Sequence, residues 1–97
     1  MMIGCYIIYS KNLKRHYIGA TKDLSTRLSK HKSHFHGPHH FTANAEDWEL
    51  ILFMPCNTFR QAILIEQHLK KMKSSVYLRN LVRFPEMVQK LLIKYSD

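Results

Sequence analysis

The first half of the chain alternates between apolar runs and short polar breaks. Residues 3–10 are almost wholly apolar or aromatic, and 15–20 form a second run rich in aromatic and branched side chains. Such runs are typical of buried strands, and the short polar stretch 10–14 between them predicts an antiparallel hairpin. A third run, 48–54, predicts another strand, which Pro55 ends because proline cannot donate a ladder hydrogen bond.

Helical spacing first appears after the hairpin. Leu24 and Leu28 recur at that spacing and predict a helix over 22–32. Thr21 is the expected N-cap, and Asp23 is expected in the first turn, where the helix dipole favours negative charge. This helix follows the second strand directly.

The second half of the chain is mainly helical in pattern. An irregular loop is predicted over 33–47, and helices are predicted over 58–73, 76–83 and 85–95. Pro85 suits the first turn of the last helix. The apolar stripe of the longest helix is expected to comprise Ala62, Ile65, Leu69 and Met72.

Length and charge narrow both the architecture and the partner. The 97 residues suit a single domain, 1–97, of the α+β (α/β) class, with a three-stranded antiparallel sheet flanked by helices. Fifteen Lys and Arg against seven Asp and Glu give a net charge of +8. An excess of this size on a small domain favours a polyanionic partner such as DNA or RNA. The alternative is a basic surface that only keeps the protein soluble.

Neither cysteine usage nor hydropathy points outside the cytoplasm. Cys5 and Cys56 both lie in apolar segments and are predicted to be reduced core residues. No signal-peptide pattern and no apolar run approaching 18 residues is present. We therefore expect a cytoplasmic protein without a membrane partner.

Glu66 is the most informative acidic residue. At 100° per residue it lies at the edge of the apolar stripe rather than on the outer face of its helix. A carboxylate turned toward the body of a domain is costly unless it is paired or binds a metal. The alternative is an ordinary solvated pair with Lys70, four residues on. The pattern alone leaves both open.

Arg27 and His31 share a face of the first predicted helix. An arginine on the inner side of a helix suits a phosphate, which its planar guanidinium grips through two hydrogen bonds. The alternative is an arginine that only covers apolar surface. Tyr6 and Tyr17 on the hairpin are most often packing residues in such positions. The loop histidines raise a zinc site as a weaker possibility, although no cysteine lies near them: His34, His36, His39 and His40.

Several short motifs occur in a characteristic order. They are Gly4-Cys5-Tyr6, Tyr17-Ile18-Gly19, Arg27-Leu28 with His31, Trp48-Glu49-Leu50, and Ala62 with Glu66 and Leu69-Lys70. Together they resemble the GIY-YIG nuclease family over residues 4–73, with Cys5 where the family name has Ile. The resemblance implies a catalytic core over 1–73, followed by a C-terminal helical segment over 74–97.

The resemblance also implies roles for individual residues. Glu66 would hold one divalent metal ion, Mg²⁺ or Mn²⁺, and Arg27 would stabilise the charge on the phosphoryl group. Tyr6 and Tyr17 would line the site, with Tyr17 favoured as the base that takes a proton from the attacking water. His31 would orient or relay that proton. A further catalytic asparagine of the family corresponds to Asn80.

The implied activity is hydrolysis of DNA phosphodiester bonds, with branched and damaged DNA among the candidate substrates. The expected backbone contacts come from Lys22, Lys70, Lys73 and Arg79. No small-molecule cofactor is expected, and the expected state is a monomer or weak dimer. Two rivals stay open: a module on the same fold that binds DNA or RNA without cleaving it, and a metal-storing protein built on the histidine loop.

Overall fold

A computed structural model of the protein describes residues 2–32 and 47–96, except for the side chains of 30–32. Three strands and four helices are present in these ranges, close to the positions that the sequence predicts. In chain order they are β1 (Gly4–Ser10), β2 (Arg15–Thr21), α1 (Leu24–Lys32), β3 (Glu49–Pro55), α2 (Phe59–Met72), α3 (Ser75–Arg83) and α4 (Pro85–Lys94).

The three strands form one antiparallel sheet in the order β2-β1-β3, which confirms the predicted α+β architecture. On one side of β1, Tyr6 lies opposite Gly19 and Ile8 opposite Tyr17. On the other side, the pairing with β3 shifts by one residue between Ile7 and Ile8, which leaves Ile51 as the extra residue of a bulge. β1 is therefore the central strand of the sheet and pairs with both of the other strands.

The two faces of β1 serve two separate cores because successive side chains of a strand point to opposite faces. Cys5 and Ile7 face α2, α3 and α4, where they pack with the buried side chains Met54, Ile65, Leu69, Leu78, Leu81, Val88 and Leu91. Tyr6 and Ile8 face α1, where they pack with Leu24 and Trp48. Both cysteines are free, as predicted.

The ends of the helices show where local prediction succeeds and fails. α1 begins at Leu24, and the Asp23 carbonyl accepts from the Arg27 amide at 3.2 Å. The first helical bond is therefore made by Asp23, and the prediction of Thr21 as N-cap is wrong. Thr21 ends β2 and uses its hydroxyl to close the turn onto Asp23. The Thr58 side chain does cap α2.

The apolar stripe of α2 is buried at Ala62, Ile65 and Leu69, whereas Met72 is exposed because the helix ends there. The next residue, Lys73, has the left-handed conformation with φ 48°. None of the helices in the two described ranges is long and apolar enough to cross a membrane.

Candidate active site

Tyr6 and Arg27 form the buried centre of the site. Tyr6 is completely buried on the α1 face of the central strand. Arg27, in the first turn of α1, donates a hydrogen bond from Nε to the Tyr6 hydroxyl at 3.2 Å. Burial raises the pKa of Tyr6 to about 12, although the Arg27 cation acts in the opposite direction. The Tyr6 hydroxyl is therefore neutral near pH 7 and serves as a fixed acceptor for the guanidinium.

Gly19 leaves the space that the Tyr6 hydroxyl occupies. It lies opposite Tyr6 in the β1–β2 register, and a Cβ at this position would overlap both the hydroxyl and the ring of Tyr6. A side chain here would displace the acceptor that holds Arg27. The glycine of the Tyr17-Ile18-Gly19 motif is thus explained by a close approach within the site.

Tyr17 lies on the same face of the sheet, two residues before Gly19, and is only half-buried. Its ring centroid is 6.4 Å from that of Tyr6, and its edge meets the ring of Trp48 at 6.5 Å. The Tyr17 hydroxyl also acts on Arg27, since it contributes to the raised pKa of the guanidinium. Tyr6, Tyr17 and Arg27 therefore form one group of polar side chains, which we call the tyrosine–arginine cluster.

The cluster fixes a positive charge at the surface of the sheet. Burial opposes the charge on Arg27, but the neighbouring hydroxyls of Tyr6 and Tyr17 outweigh it and raise the pKa of the guanidinium. Arg27 is half-buried and hydrogen-bonded, so it does more than cover apolar surface. A cation held in this way is suited to an anion that approaches from outside, such as a phosphate.

Glu66 lies on α2, with only 21% of its side chain exposed. Its Oε2 is 3.3 Å from Lys70 Nζ, so the ion pair that the sequence left open is present. Burial raises the pKa of Cys5, and the charge of Glu66 raises it further. The Glu66 carboxylate is therefore also close to the sheet. The same charge contributes, less than burial does, to the raised pKa of Tyr6. The charge of Glu66 therefore acts on both Cys5 and Tyr6 of β1.

The donor set is compatible with magnesium. Within the described side chains, no three His, Cys, Asp or Glu residues converge on one point. Mg²⁺ usually keeps several waters and is held by one or two carboxylates together with substrate phosphates. Glu66 alone meets that requirement once a phosphate is present, provided that the metal displaces the exposed Lys70.

Two clefts adjoin the tyrosine–arginine cluster. The first, of about 380 Å³, lies between β2 and the junction of α2 and α3, and we call it the α2–α3 cleft. It contains Tyr17 and two of the predicted DNA-binding residues, Lys70 and Lys73. Its other lining residues are His16, Ile18, Leu69, Ser74, Ser75 and Leu78.

The second cleft, of about 390 Å³, lies beside the start of α1, and we call it the α1 cleft. It is lined by Arg27 and by Lys22, whose ammonium group lies 5.1 Å from the centre of the Phe59 ring. The cluster therefore contributes a residue to each cleft, Tyr17 to one and Arg27 to the other.

Other predicted residues lie elsewhere. Arg79 lines a separate cavity of about 280 Å³ with Tyr9, His16, Ile51 and Val82. Asn80 is half-buried on α3 and lines neither cleft. His31 belongs to α1, but its side chain is outside the described set. The loop histidines also lie outside the described residues, so the zinc prediction stays untested: His34, His36, His39 and His40.

Sequence reasoning did not place Ser74, Ser75 or His16 at the site. Ser74 caps α3, since its Oγ accepts from the Tyr77 amide at 3.1 Å, and both serines line the α2–α3 cleft beside the lysines. A signal was available, because serine before a helical pattern is a common N-cap. The proximity of that cap to Tyr17 depends on tertiary packing.

A comparison with protein-family models identifies the family of this domain. The model described as the GIY-YIG catalytic domain matches residues 2–80, which comprise the sheet, α1, α2 and two thirds of α3. A comparison with curated proteins and one with solved structures each returned no match.

Proposed function

The chain belongs to the GIY-YIG family, whose domains are nucleases that cleave DNA, and on this premise we propose that it is a metal-dependent endonuclease that grips its substrate by the phosphate backbone. The observation that supports this most directly is the tyrosine–arginine cluster. Arg27 is a half-buried cation that is hydrogen-bonded to the Tyr6 hydroxyl, and the charge of Glu66 acts on the same tyrosine. Fixed positive charge stabilises the negative charge that develops on a phosphoryl group, and a carboxylate can hold the metal ion.

In the proposed mechanism Arg27 binds the cleaved phosphodiester and stabilises the negative charge that develops on it. Its hydrogen bond to Tyr6 holds it in place before substrate arrives, so little reorganisation is needed. Glu66 would hold Mg²⁺ or Mn²⁺, with Lys70 released from the carboxylate. When bound, such an ion supplies Lewis acidity and lowers the pKa of coordinated water.

The two tyrosines have different roles in this proposal. Tyr6 is buried with a pKa of about 12, and it acts as the positioning residue for Arg27. Tyr17 lines an open cleft, where its hydroxyl gives up its proton to solvent, and the resulting phenolate takes the proton of the attacking water as the new oxygen–phosphorus bond forms. The bond to the leaving sugar oxygen then breaks, and that oxygen gains a proton from solvent. The roles of His31 as relay and of Asn80 stay predictions based on the resemblance.

The test uses labelled single-stranded, duplex and branched DNA with Mg²⁺, Mn²⁺ or chelator. Wild type is compared with Glu66→Gln and with Glu86→Gln, which neutralises an exposed carboxylate on α4. We expect metal-dependent cleavage by wild type and Glu86→Gln, and loss of cleavage in Glu66→Gln. Cleavage that survives in Glu66→Gln at a near wild-type rate would remove the metal-ligand role.

A second candidate function rests on the ion pair of Glu66. Because Lys70 already neutralises the carboxylate at 3.3 Å, the fold does not need a metal there. The second candidate function is therefore a non-catalytic module, which would bind nucleic acid with a steep salt dependence and no turnover. The same experiment separates the two: binding by wild type without cleavage of any DNA form in either metal favours this candidate.

A further inference from the structure

Lys73 has a backbone conformation that lysine rarely takes. It follows the last residue of α2 with φ 48°, in the left-handed region. This region is favoured by glycine at helix ends, because a Cβ there crowds the following carbonyl oxygen. Lys73 therefore carries backbone strain that glycine would relieve.

The strained residue is also a lining residue of the α2–α3 cleft. Lys70 lines the same cleft one turn earlier, and Tyr17 of the tyrosine–arginine cluster forms part of its wall. Strained residues cluster at functional sites, where the surrounding structure holds them for a purpose. Lys73 adds a second ammonium group to the α2–α3 cleft, beside that of Lys70 and next to the proposed reaction centre.

The ligand of this cleft follows from its lining. Two lysines and two serines, Ser74 and Ser75, line a space of about 380 Å³, and none of its lining residues in the described part of the chain is Asp or Glu. Lysine and serine side chains are typical partners of DNA phosphate oxygens. When the cleaved phosphate of a DNA strand lies at Arg27 and Tyr17, the strand continues past the tyrosine–arginine cluster. On the side of Tyr17, it meets the α2–α3 cleft.

We propose that the α2–α3 cleft binds the backbone phosphate next to the one that is cleaved, with Lys73 and Lys70 as its cations. This rests on the proposed function for the position of the cut, but binding in the cleft does not require a metal. Lys70 has two alternative partners, Glu66 and this phosphate. Metal at Glu66 would release Lys70 to the strand.

The chain offers a matched control for Lys73. Lys14 lies in the β1–β2 turn, is exposed, and has the same left-handed conformation with φ 54°. It lines neither cleft. Lys14→Gly and Lys73→Gly therefore remove the same charge and the same kind of strain, and neither is expected to lower the melting temperature. Only Lys73→Gly removes a proposed phosphate contact.

The experiment measures binding of a short fluorescein-labelled DNA, single-stranded and duplex, over a range of salt concentrations in chelator. We expect Lys73→Gly to bind about fivefold more weakly than Lys14→Gly at roughly 0.1 M salt, with a salt slope smaller by about one. Equal affinities and slopes for the two variants would overturn the proposal, as would the absence of binding by wild type at low salt. Because no metal is present, a protein that binds DNA in this way but never cleaves it would refute the proposed function alone.

Discussion

The tyrosine–arginine cluster and the α2–α3 cleft lie side by side, but they are built in opposite ways. In the cluster, the buried Tyr6 holds a single cation by a hydrogen bond, and the half-buried Tyr17 packs beside Tyr6. In the cleft, the cations are exposed lysines, one of them in a solvated pair with Glu66. Fixed charge in a water-poor setting stabilises a transition state, whereas solvated charge mainly contributes to affinity. The difference suggests a division of labour between chemistry and binding.

The largest effect, on the rate of cleavage, is expected at Tyr17, because Tyr17 is the proposed base. Tyr17→Phe keeps the ring contacts with Tyr6 and Trp48 but removes the proposed base. Single-turnover cleavage should slow about 10²- to 10⁴-fold. Tyr9→Phe is the control, because Tyr9 is on β1 but packs on His16 away from the cluster. Equal rates for the two variants would exclude Tyr17 as the base.

A smaller effect is expected at Gly19, on the free energy of unfolding and not on the cleavage step itself. Gly19→Ala places a Cβ where the Tyr6 hydroxyl lies, and overpacking of this kind costs about 1–3 kcal/mol of unfolding free energy. In a Tyr6→Phe background the nearest contact is gone, so the same substitution should cost less. Chemical denaturation of the four proteins measures this coupling. An identical cost in both backgrounds would show that the hydroxyl does not need the glycine.

Tyr6 also predicts a pH dependence of stability. Its pKa is about 12 in the folded protein against 10 for the ordinary side chain, so the folded state keeps a proton that the unfolded state has lost. The stabilisation is complete below pH 10 and falls by about 2–3 kcal/mol as the pH rises toward 12. Urea denaturation of wild type and Tyr6→Phe at several pH values checks this. Parallel losses in the two proteins would contradict the buried, neutral hydroxyl.

The smallest effect is expected at Lys70. Its pair with Glu66 is an exposed contact four residues apart on a helix, so Lys70→Ala should change the unfolding free energy by less than about 0.5 kcal/mol. The same variant should nevertheless weaken DNA binding, because Lys70 is one of the two proposed cations of the α2–α3 cleft. A loss of stability above that limit would mean that the pair is a structural feature of α2 and not a solvated one.

The sequence predicted the elements well because their apolar periodicities are strong and uninterrupted, as in β1 and α2. It failed at the start of α1, where Thr21 and Asp23 both suit an N-cap and only the end of β2 decides between them. The bulge at Ile51 had no local signal either, since it depends on how β3 pairs with β1.

The site was predictable as a set of residues but not as an arrangement. Tyr6, Tyr17 and Arg27 were singled out by the motifs, and the structure brings them together. The separation of Arg79 from the lysines of the α2–α3 cleft was not predictable, because it depends on where α3 packs. The left-handed conformation of Lys73 was not predictable either, because no glycine at the end of α2 indicates it.

The most direct test of the division between chemistry and binding is to measure the saturating single-turnover rate and the DNA dissociation constant for Arg27→Ala and Lys73→Gly. We predict that Arg27→Ala lowers the rate about 10²- to 10³-fold and changes affinity little, whereas Lys73→Gly lowers affinity and leaves the saturating rate near wild type. If Arg27→Ala lost only affinity and reached the wild-type rate at saturation, the cluster would be a binding site, and the account would be wrong.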